Sequence, residues 1–181
     1  MHTTFEQWLG MVLGQDEPAV RRLVEDPTGL HFLMVWSLFE SKCCGGEFEA
    51  KEHCSGFAMP KTNNEESEAI REQALYFHQR YRTPLDVEAL APISRSSRKA
   101  RQTFVETLGV PEATLTNEQA QLIVVFVASR VRNNMFHGQK GIDDWLRDKQ
   151  LILKCMQVLQ IFVAARERER PTLATEISGA A

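Results

Sequence analysis

The chain has 181 residues, of which 43% are hydrophobic and 25% are charged. A domain averages roughly 150 residues, so the length predicts a single domain, and the composition excludes collagen-like, low-complexity and globally disordered chains. The 21 Lys and Arg residues face 24 Asp and Glu residues, which leaves a net charge of −3. Any binding of nucleic acid therefore needs a local basic patch. We predict one domain over residues 1–170 and a disordered tail over residues 171–181.

Hydropathy and cysteine usage indicate a cytoplasmic protein. No apolar stretch approaches the roughly 20 residues that cross a bilayer, and the first residues lack the basic and apolar regions of a secretory signal. The four cysteines are then expected to be reduced thiols. Cys43, Cys44, His53 and Cys54 offer soft metal ligands, but adjacent pairs lack the spacing of a zinc knuckle. We therefore predict no metal and no cofactor.

Helical periodicity and helix-stop residues predict an all-α protein without repeats or glycine-rich phosphate loops. A buried strand over residues 122–127 is an alternative, since that segment is β-branched and apolar on every side. Its length and a capping box formed by Thr116 and Gln119 favour a helix. The predicted helices span residues 5–13, the segment between Asp16 and Asp26, and residues 28–44, 65–82, 96–108, 116–137 and 143–166, with a short turn over 86–90.

Aromatic and aliphatic residues set the expected core. The helix over 28–44 carries an aliphatic stripe and a separate aromatic face, so we expect both faces to be buried. The tryptophans fall at helical spacing with other apolar residues, which is typical of core positions. The aliphatic stripe comprises Leu30, Leu33, Met34 and Leu38, the aromatic face Phe32, Trp36 and Phe39, and the other tryptophans are Trp8 and Trp145.

The most informative stretch is residues 130–141, RVRNNMFHGQKG, where an apolar helix becomes polar and cationic at its end. On a helical wheel Asn133 and His137 lie one turn apart with Arg130 beside them, whereas Arg132 starts about 140° from His137. The wheel alone therefore favours Arg130 as the partner of the histidine. The alternative is that these cations only complement the carboxyl end of a helix.

These side chains permit cleavage of RNA without a metal. A histidine titrating near pH 6.5 can take a proton from a ribose 2′-hydroxyl or give one to a leaving 5′-oxygen, while a guanidinium holds the phosphate. The product would be a 2′,3′-cyclic phosphate, and DNA would resist the reaction. Asn133 could orient the imidazole of His137, and Arg130 or Lys140 could add positive charge at the phosphate.

Residues 132–138, with Asn after Arg132 and with Phe before and Gly after His137, resemble the HEPN superfamily, in particular its stand-alone and Apea-like bacterial members. The hallmark of that family is an arginine, a polar residue and then a histidine, with four to six residues between the arginine and the histidine. Arg130 also fits the spacing, but Val131 after it is apolar, so the resemblance favours Arg132. It implies an endoribonuclease with Arg132 and His137 as the catalytic pair and Asn133 as their polar companion.

The resemblance also implies a fold and partners. These are a helical bundle on an up-and-down four-helix core with extra short helices, a homodimer with a composite active site, and a role as a toxin or in phage defence. An antitoxin or a neighbouring defence protein would then be a further partner. Members paired with a nucleotidyltransferase antitoxin carry a tyrosine two residues after the histidine, where this chain has Gln139. Modification with AMP is therefore not expected.

A second basic segment is the candidate surface for the RNA backbone. Residues 94–101 contain four cations, and Arg80 and Arg82 precede them. A solvated helix face is the alternative. The four candidates are Arg95, Arg98, Lys99 and Arg101.

Two further functions stay open. A HEPN-like module without catalysis would bind RNA or a nucleotide, or would serve as a dimerisation scaffold. A helical bundle in which the motif is accidental need not dimerise.

Overall fold

The computed structural model describes residues 4–50, 59–92, 97–136 and 148–169. Within these ranges it contains helices and no strand, so the all-α prediction is confirmed for them, and none of these helices is long and apolar enough to span a membrane. The helices are α1 (Phe5–Leu13), α2 (Glu17–Glu25), α3 (Thr28–Cys43), α4 (Asn64–Arg80), α5 (Pro84–Leu90), α6 (Arg98–Leu108), a 3-10 turn (Glu112–Thr114), α7 (Asn117–Phe136) and α8 (Lys149–Glu169).

Side-chain caps fix several helix starts. Thr4 and Asn63 each form a capping box at the start of α1 and α4. The predicted turn over 86–90 is instead the end of helix α5. Thr83 accepts a hydrogen bond from the backbone N–H of Asp86, whose carboxylate bonds back to Thr83, and Pro84 occupies the first turn, where its missing N–H costs nothing. A Thr-Pro pair that reads as a helix stop therefore also starts the next helix.

The four longest helices, α3, α4, α7 and α8, pack around one hydrophobic core, and α6 covers α7. Helix α8 lies along α3, where the rings of Phe39 and Phe162 are 6.1 Å apart. Phe104 of α6 stacks on Phe126 of α7, with ring centroids 4.3 Å apart. Helices α1 and α2 form a hairpin with a small separate cluster of Leu9, Val20 and Leu23.

Helix α7 is the most enclosed element. Residues 123–131 are all buried, so this part of the helix presents no side to solvent. The helix begins after Thr116, whose hydroxyl accepts a hydrogen bond from the N–H of Gln119 at 3.2 Å, and the Gln119 side chain bonds back to the N–H of Thr116 at 2.9 Å. The predicted capping box is confirmed, and residues 122–127 are helical rather than a strand.

The expected up-and-down order is wrong for the four long helices. Asp26 and Lys149 form an ion pair of 2.7 Å at the amino ends of α3 and α8, and Lys42 and Glu167 pair at 3.2 Å near their carboxyl ends. Helices α3 and α8 are therefore parallel, whereas the first and last helices of an up-and-down bundle are antiparallel. Strict alternation needs short loops, and the connection from α4 to α7 instead contains α5, α6 and the 3-10 turn.

The expectation that α3 is buried on both faces is also wrong. Its aromatic face packs on α8, but Leu30, Met34 and Leu38 of the other stripe are 62%, 58% and 49% exposed. Among the described helices α8 makes the main contact with α3, and it covers the aromatic face rather than these three side chains. Trp36 lies in the core as predicted, whereas Trp8 is 49% exposed because α1 packs mainly on α2.

Several predictions concern residues outside the described ranges: the tail over 171–181, Trp145, and the metal-ligand candidates His53 and Cys54. Among the described residues, the other three cysteines, Cys43, Cys44 and Cys155, form no disulfide bond with one another. Burial raises the pKa of the Cys43 thiol to about 11, so this cysteine stays protonated at neutral pH.

The stack of Phe104 on Phe126 predicts a large cost for truncation. Phe126→Ala should lower the free energy of unfolding by about 3–5 kcal/mol, because it leaves a cavity between α6 and α7. Urea denaturation followed by circular dichroism measures this change. Val105→Ala, at an exposed position of α6, is the control and should change stability by less than about 0.5 kcal/mol. A Phe126→Ala protein as stable as the control would contradict the packing described.

The ion pair between Asp26 and Lys149 predicts a pH-dependent contribution to stability. The hydrogen bond from Lys149 and those from Thr28 lower the pKa of Asp26 to about 2. The folded-state pKa lies below the unfolded value near 3.8, so this contribution is present above pH 4 and is lost as the pH falls towards 2. Asp26→Asn should lower the free energy of unfolding by roughly 1–2 kcal/mol at pH 7.

Urea midpoints of both proteins from pH 7 to pH 2 test this. The difference between wild type and Asp26→Asn should shrink below pH 4, and a constant difference across that range would contradict the assigned cause.

Candidate functional site

The last two turns of α7 carry the polar motif while remaining packed against the protein. Arg130 is only 5% exposed, and burial lowers the pKa of its guanidinium. Arg132 and Asn133 are half-buried, and Arg132 Nη1 donates a hydrogen bond to Asn133 Oδ1 at 3.0 Å. The fold therefore places the Arg130 guanidinium in the core and the Arg132 and Asn133 side chains at its edge.

The other members of the predicted motif, His137 and Lys140, lie outside the described residues. The predicted contact of Asn133 with the imidazole of His137 therefore stays a prediction. The structure gives the Asn133 side chain a different partner, Arg132, and this contact restricts the direction of the Arg132 guanidinium.

Asn134 is a site residue that sequence reasoning missed. It is 7% exposed, and its Nδ2 donates a hydrogen bond to the carbonyl oxygen of Leu90 at 3.2 Å, at the carboxyl end of α5. That carbonyl belongs to the last turn of a helix and needs a partner from outside the helix. The spacing Val127, Val131, Asn134 continues one buried face, and this pattern could have identified Asn134 as a polar residue that the core must satisfy.

Arg101, a predicted RNA-binding residue, also donates a hydrogen bond to a backbone carbonyl at this place, that of Ala91, the residue after Leu90. Its Nε donates to the carbonyl oxygen of Ala91 at 3.0 Å, and its Nη2 pairs with Glu88 at 3.1 Å. The consecutive carbonyls of Leu90 and Ala91 therefore accept hydrogen bonds from α7 and α6 respectively. This junction holds the start of α6 beside the end of α7.

The junction places the two predicted basic regions at the same end of the molecule. Arg98 and Lys99 are exposed in the first turn of α6, whereas Arg101 is bound to its own protein, and Arg95 lies outside the described residues. Two of the predicted RNA-binding residues are therefore exposed cations close to the motif. The upstream Arg82 is paired with Glu112 at 2.5 Å.

A cavity of about 370 Å³ adjoins the end of α7. It opens where the carboxyl ends of α4, α5 and α7 meet the amino end of α8, and both Asn134 and Met135 of the motif line it. Its walls are mainly apolar, with a few convergent polar groups, which is typical of small-molecule sites. The lining residues are Arg80, Tyr81, Asp86, Ala89, Leu90, Val131, Asn134, Met135, Asp148, Leu151 and Ile152.

The polar groups of the cavity carry charges of both signs. Arg80 approaches Asp148 at 3.5 Å, and its guanidinium carbon lies 5.9 Å from the ring centre of Tyr81. Burial raises the pKa of the Tyr81 phenol, so Tyr81 is neutral and its ring forms part of the wall. Asp86 adds a second carboxylate, of which Oδ2 bonds to Thr83.

A buried histidine elsewhere serves the fold. His78 Nε2 donates a hydrogen bond to the carbonyl oxygen of Val110 at 2.9 Å, and Arg71 donates to the carbonyl oxygens of Leu115 and Glu112. These partners are backbone atoms of the segment before α7. This cluster therefore fixes the path of that segment on α4, and the cavity beside the motif is the better candidate for function.

Comparison with models of known protein families, with curated proteins and with solved structures finds no match to this chain. The function is therefore inferred from the chemistry of the site.

The junction at Leu90 and Ala91 predicts different roles for two neighbouring cations. Arg101→Ala removes hydrogen bonds to a carbonyl and to a carboxylate, and should lower the free energy of unfolding by about 1–3 kcal/mol. Lys99→Ala is the matched control on the same helix and should change stability by less than about 0.5 kcal/mol. Thermal and urea denaturation compare the two, and equal stability of both variants would contradict a structural role for Arg101.

Proposed function

We propose that this protein is a metal-independent endoribonuclease of the HEPN type, which cleaves RNA by attack of the 2′-hydroxyl. The observation that carries the proposal is the arrangement at the end of α7. There the completely buried stretch of α7, residues 123–131, leads into the half-buried Arg132 and Asn133, and His137 follows the helix directly in the chain.

The proposed roles follow from the properties of each group. The guanidinium of Arg132 contacts the scissile phosphate, and its bond to Asn133 restricts its direction before the substrate arrives. Arg130, two residues earlier on the same helix, is buried and adds positive charge in a medium that screens poorly. His137 acts as general acid or base, and Lys140 is a further cation of the phosphate site.

The surroundings of the motif support a nucleic-acid substrate. Arg98 and Lys99 provide exposed positive charge on α6, which the junction at Leu90 and Ala91 holds beside the motif. The proposal includes a homodimer with a composite site, a role as a toxin or in phage defence in the cytoplasm, and an antitoxin or neighbouring defence protein as a partner. These rest on the resemblance of residues 132–138 to the HEPN family.

A second candidate is a HEPN-like module that binds RNA or a nucleotide without cleaving it. The contact of Arg132 with Asn133 and the burial of Arg130 favour it, because both arginines then stabilise the carboxyl end of a helix. In that case the cavity and the exposed cations of α6 would provide the binding surface.

Incubation of the purified protein with a mixed RNA pool in EDTA tests the proposal. Wild type should produce fragments that end in 2′,3′-cyclic phosphate, and His137→Ala and Arg132→Ala should each cleave roughly 100-fold to 10,000-fold more slowly with unchanged helix content. A 2′-deoxy substrate should stay intact, because the nucleophile belongs to the RNA.

The chain offers matched controls in His31 and Arg22, which are exposed on α3 and α2. His31→Ala and Arg22→Ala should cleave at the wild-type rate. Cleavage by His137→Ala or Arg132→Ala at that rate would overturn the mechanism. A stable complex with RNA that remains intact for hours would select the binding module.

A further inference from the structure

We propose that the cavity beside the motif binds an unpaired guanine base of RNA and thereby selects where the strand is cut. This inference rests on the proposed function for its role in cleavage. The binding of the base itself depends only on the cavity.

The shape and lining of the cavity suit a flat heterocycle. A volume of about 370 Å³ lies at the lower end of the range for small-molecule sites. Leu151 and Ile152 of α8 and Val131 and Met135 of α7 supply apolar walls, together with the neutral ring of Tyr81. Unpaired bases are held between such walls and recognised through their hydrogen-bonding edge.

The charge of the described lining disfavours a phosphate in the cavity. The lining residues that the structure describes include one guanidinium, that of Arg80, and two carboxylates, those of Asp86 and Asp148, so their formal charges sum to a negative value. Arg80 is moreover paired with Asp148. A phosphate group would be repelled here and would be attracted to Arg130 and Arg132 at the end of α7. The base of a nucleotide would thus lie in the cavity, and its phosphate would lie at the neighbouring positively charged end of α7.

The carboxylates select guanine among the four bases. A carboxylate only accepts hydrogen bonds, and its two oxygens can take two parallel donors. Guanine offers two adjacent donors on its pairing edge, N1–H and the 2-amino group. Adenine and cytosine place an acceptor nitrogen beside their amino group, and uracil places carbonyl oxygens on both sides of its single N–H, so each would bring an acceptor against a carboxylate oxygen.

The remaining polar groups complement the other edge of guanine. The Asn134 amide has two N–H donors, of which one bonds to the Leu90 carbonyl, and this residue is buried at the cavity wall. Together with the Arg80 guanidinium it supplies donors for the O6 and N7 acceptors of guanine. The position of the cavity also fits, because Asn134 and Met135 line it and His137 follows Met135 by only two residues in the sequence.

Isothermal titration of the whole protein with guanosine and inosine monophosphates tests base binding separately from cleavage. The two ligands differ only in the 2-amino group, so the guanosine nucleotide should bind at least about tenfold more tightly. Asp148→Asn should abolish this preference. Glu25→Gln, which alters an exposed carboxylate on α2, is the matched control and should preserve it.

Occupation of the cavity gives a second, independent test. Ala89 lines the cavity at an exposed position of α5, so Ala89→Phe should fill the cavity while the protein stays folded. This variant should bind neither nucleotide, with circular dichroism and the thermal midpoint as controls of folding. Sequencing of RNA fragment ends then shows whether wild type cuts next to guanine and whether Asp148→Asn loses that position.

The outcomes separate the two proposals. Guanine-selective binding that depends on Asp148, with no cleavage of any RNA, would support the base site and overturn the nuclease. Cleavage that depends on His137, with equal binding of both nucleotides or with no base preference at the cut, would overturn the base site and leave the nuclease standing. Unchanged binding by Ala89→Phe would also overturn the assignment of the cavity.

Discussion

The complete burial of residues 123–131 in the middle of α7 is the constraint on which the rest of the fold depends. A helix with no polar side must be surrounded, and here α4, α6 and α8 cover it from different directions. The stack of Phe126 on Phe104 and the core contacts of α8 follow from this requirement. The polar residues after position 128 consequently emerge at the edge of a closed core, where their contacts are restricted and water is partly excluded.

Backbone carbonyls that have no hydrogen-bond partner within their own helix determine how α5, α6 and α7 meet at this edge of the core. The carbonyls of Leu90, the last residue of α5, and of Ala91, which follows it, receive hydrogen bonds from the side chains of Asn134 and Arg101. A requirement of local structure thereby positions α6 against the end of α7. The cations of α6 therefore have two different roles. Arg101 forms hydrogen bonds within the protein, whereas Arg98 and Lys99 are exposed.

The resulting end of the molecule combines two electrostatic environments. Arg130 and Arg132 form a positive region on α7, and the adjoining cavity contains the paired Arg80 and Asp148 with Asp86 nearby. A nucleotide has the complementary division, with an anionic phosphate and a neutral base rich in hydrogen-bond donors and acceptors. The proposed cleavage uses the positive end of α7, and the proposed base binding uses the cavity. Each proposal can therefore be tested by an experiment that does not depend on the other.

The sequence by itself determined most of the helices, though not α5, because periodicity and capping act over three or four residues; Thr116 with Gln119 and Asp16 with Pro18 are examples. It also predicted Arg130, Arg132 and Asn133 as candidate site residues, since an abrupt change from apolar to polar residues is visible along the chain. Only the tertiary structure decided that α3 and α8 are parallel, that Leu30 is exposed, and that Asn134 and Arg101 donate to consecutive carbonyls at the carboxyl end of α5. These features depend on which residues distant in the chain become neighbours. The cavity, formed by the ends of four helices, is likewise a property of packing and has no signature in any single segment.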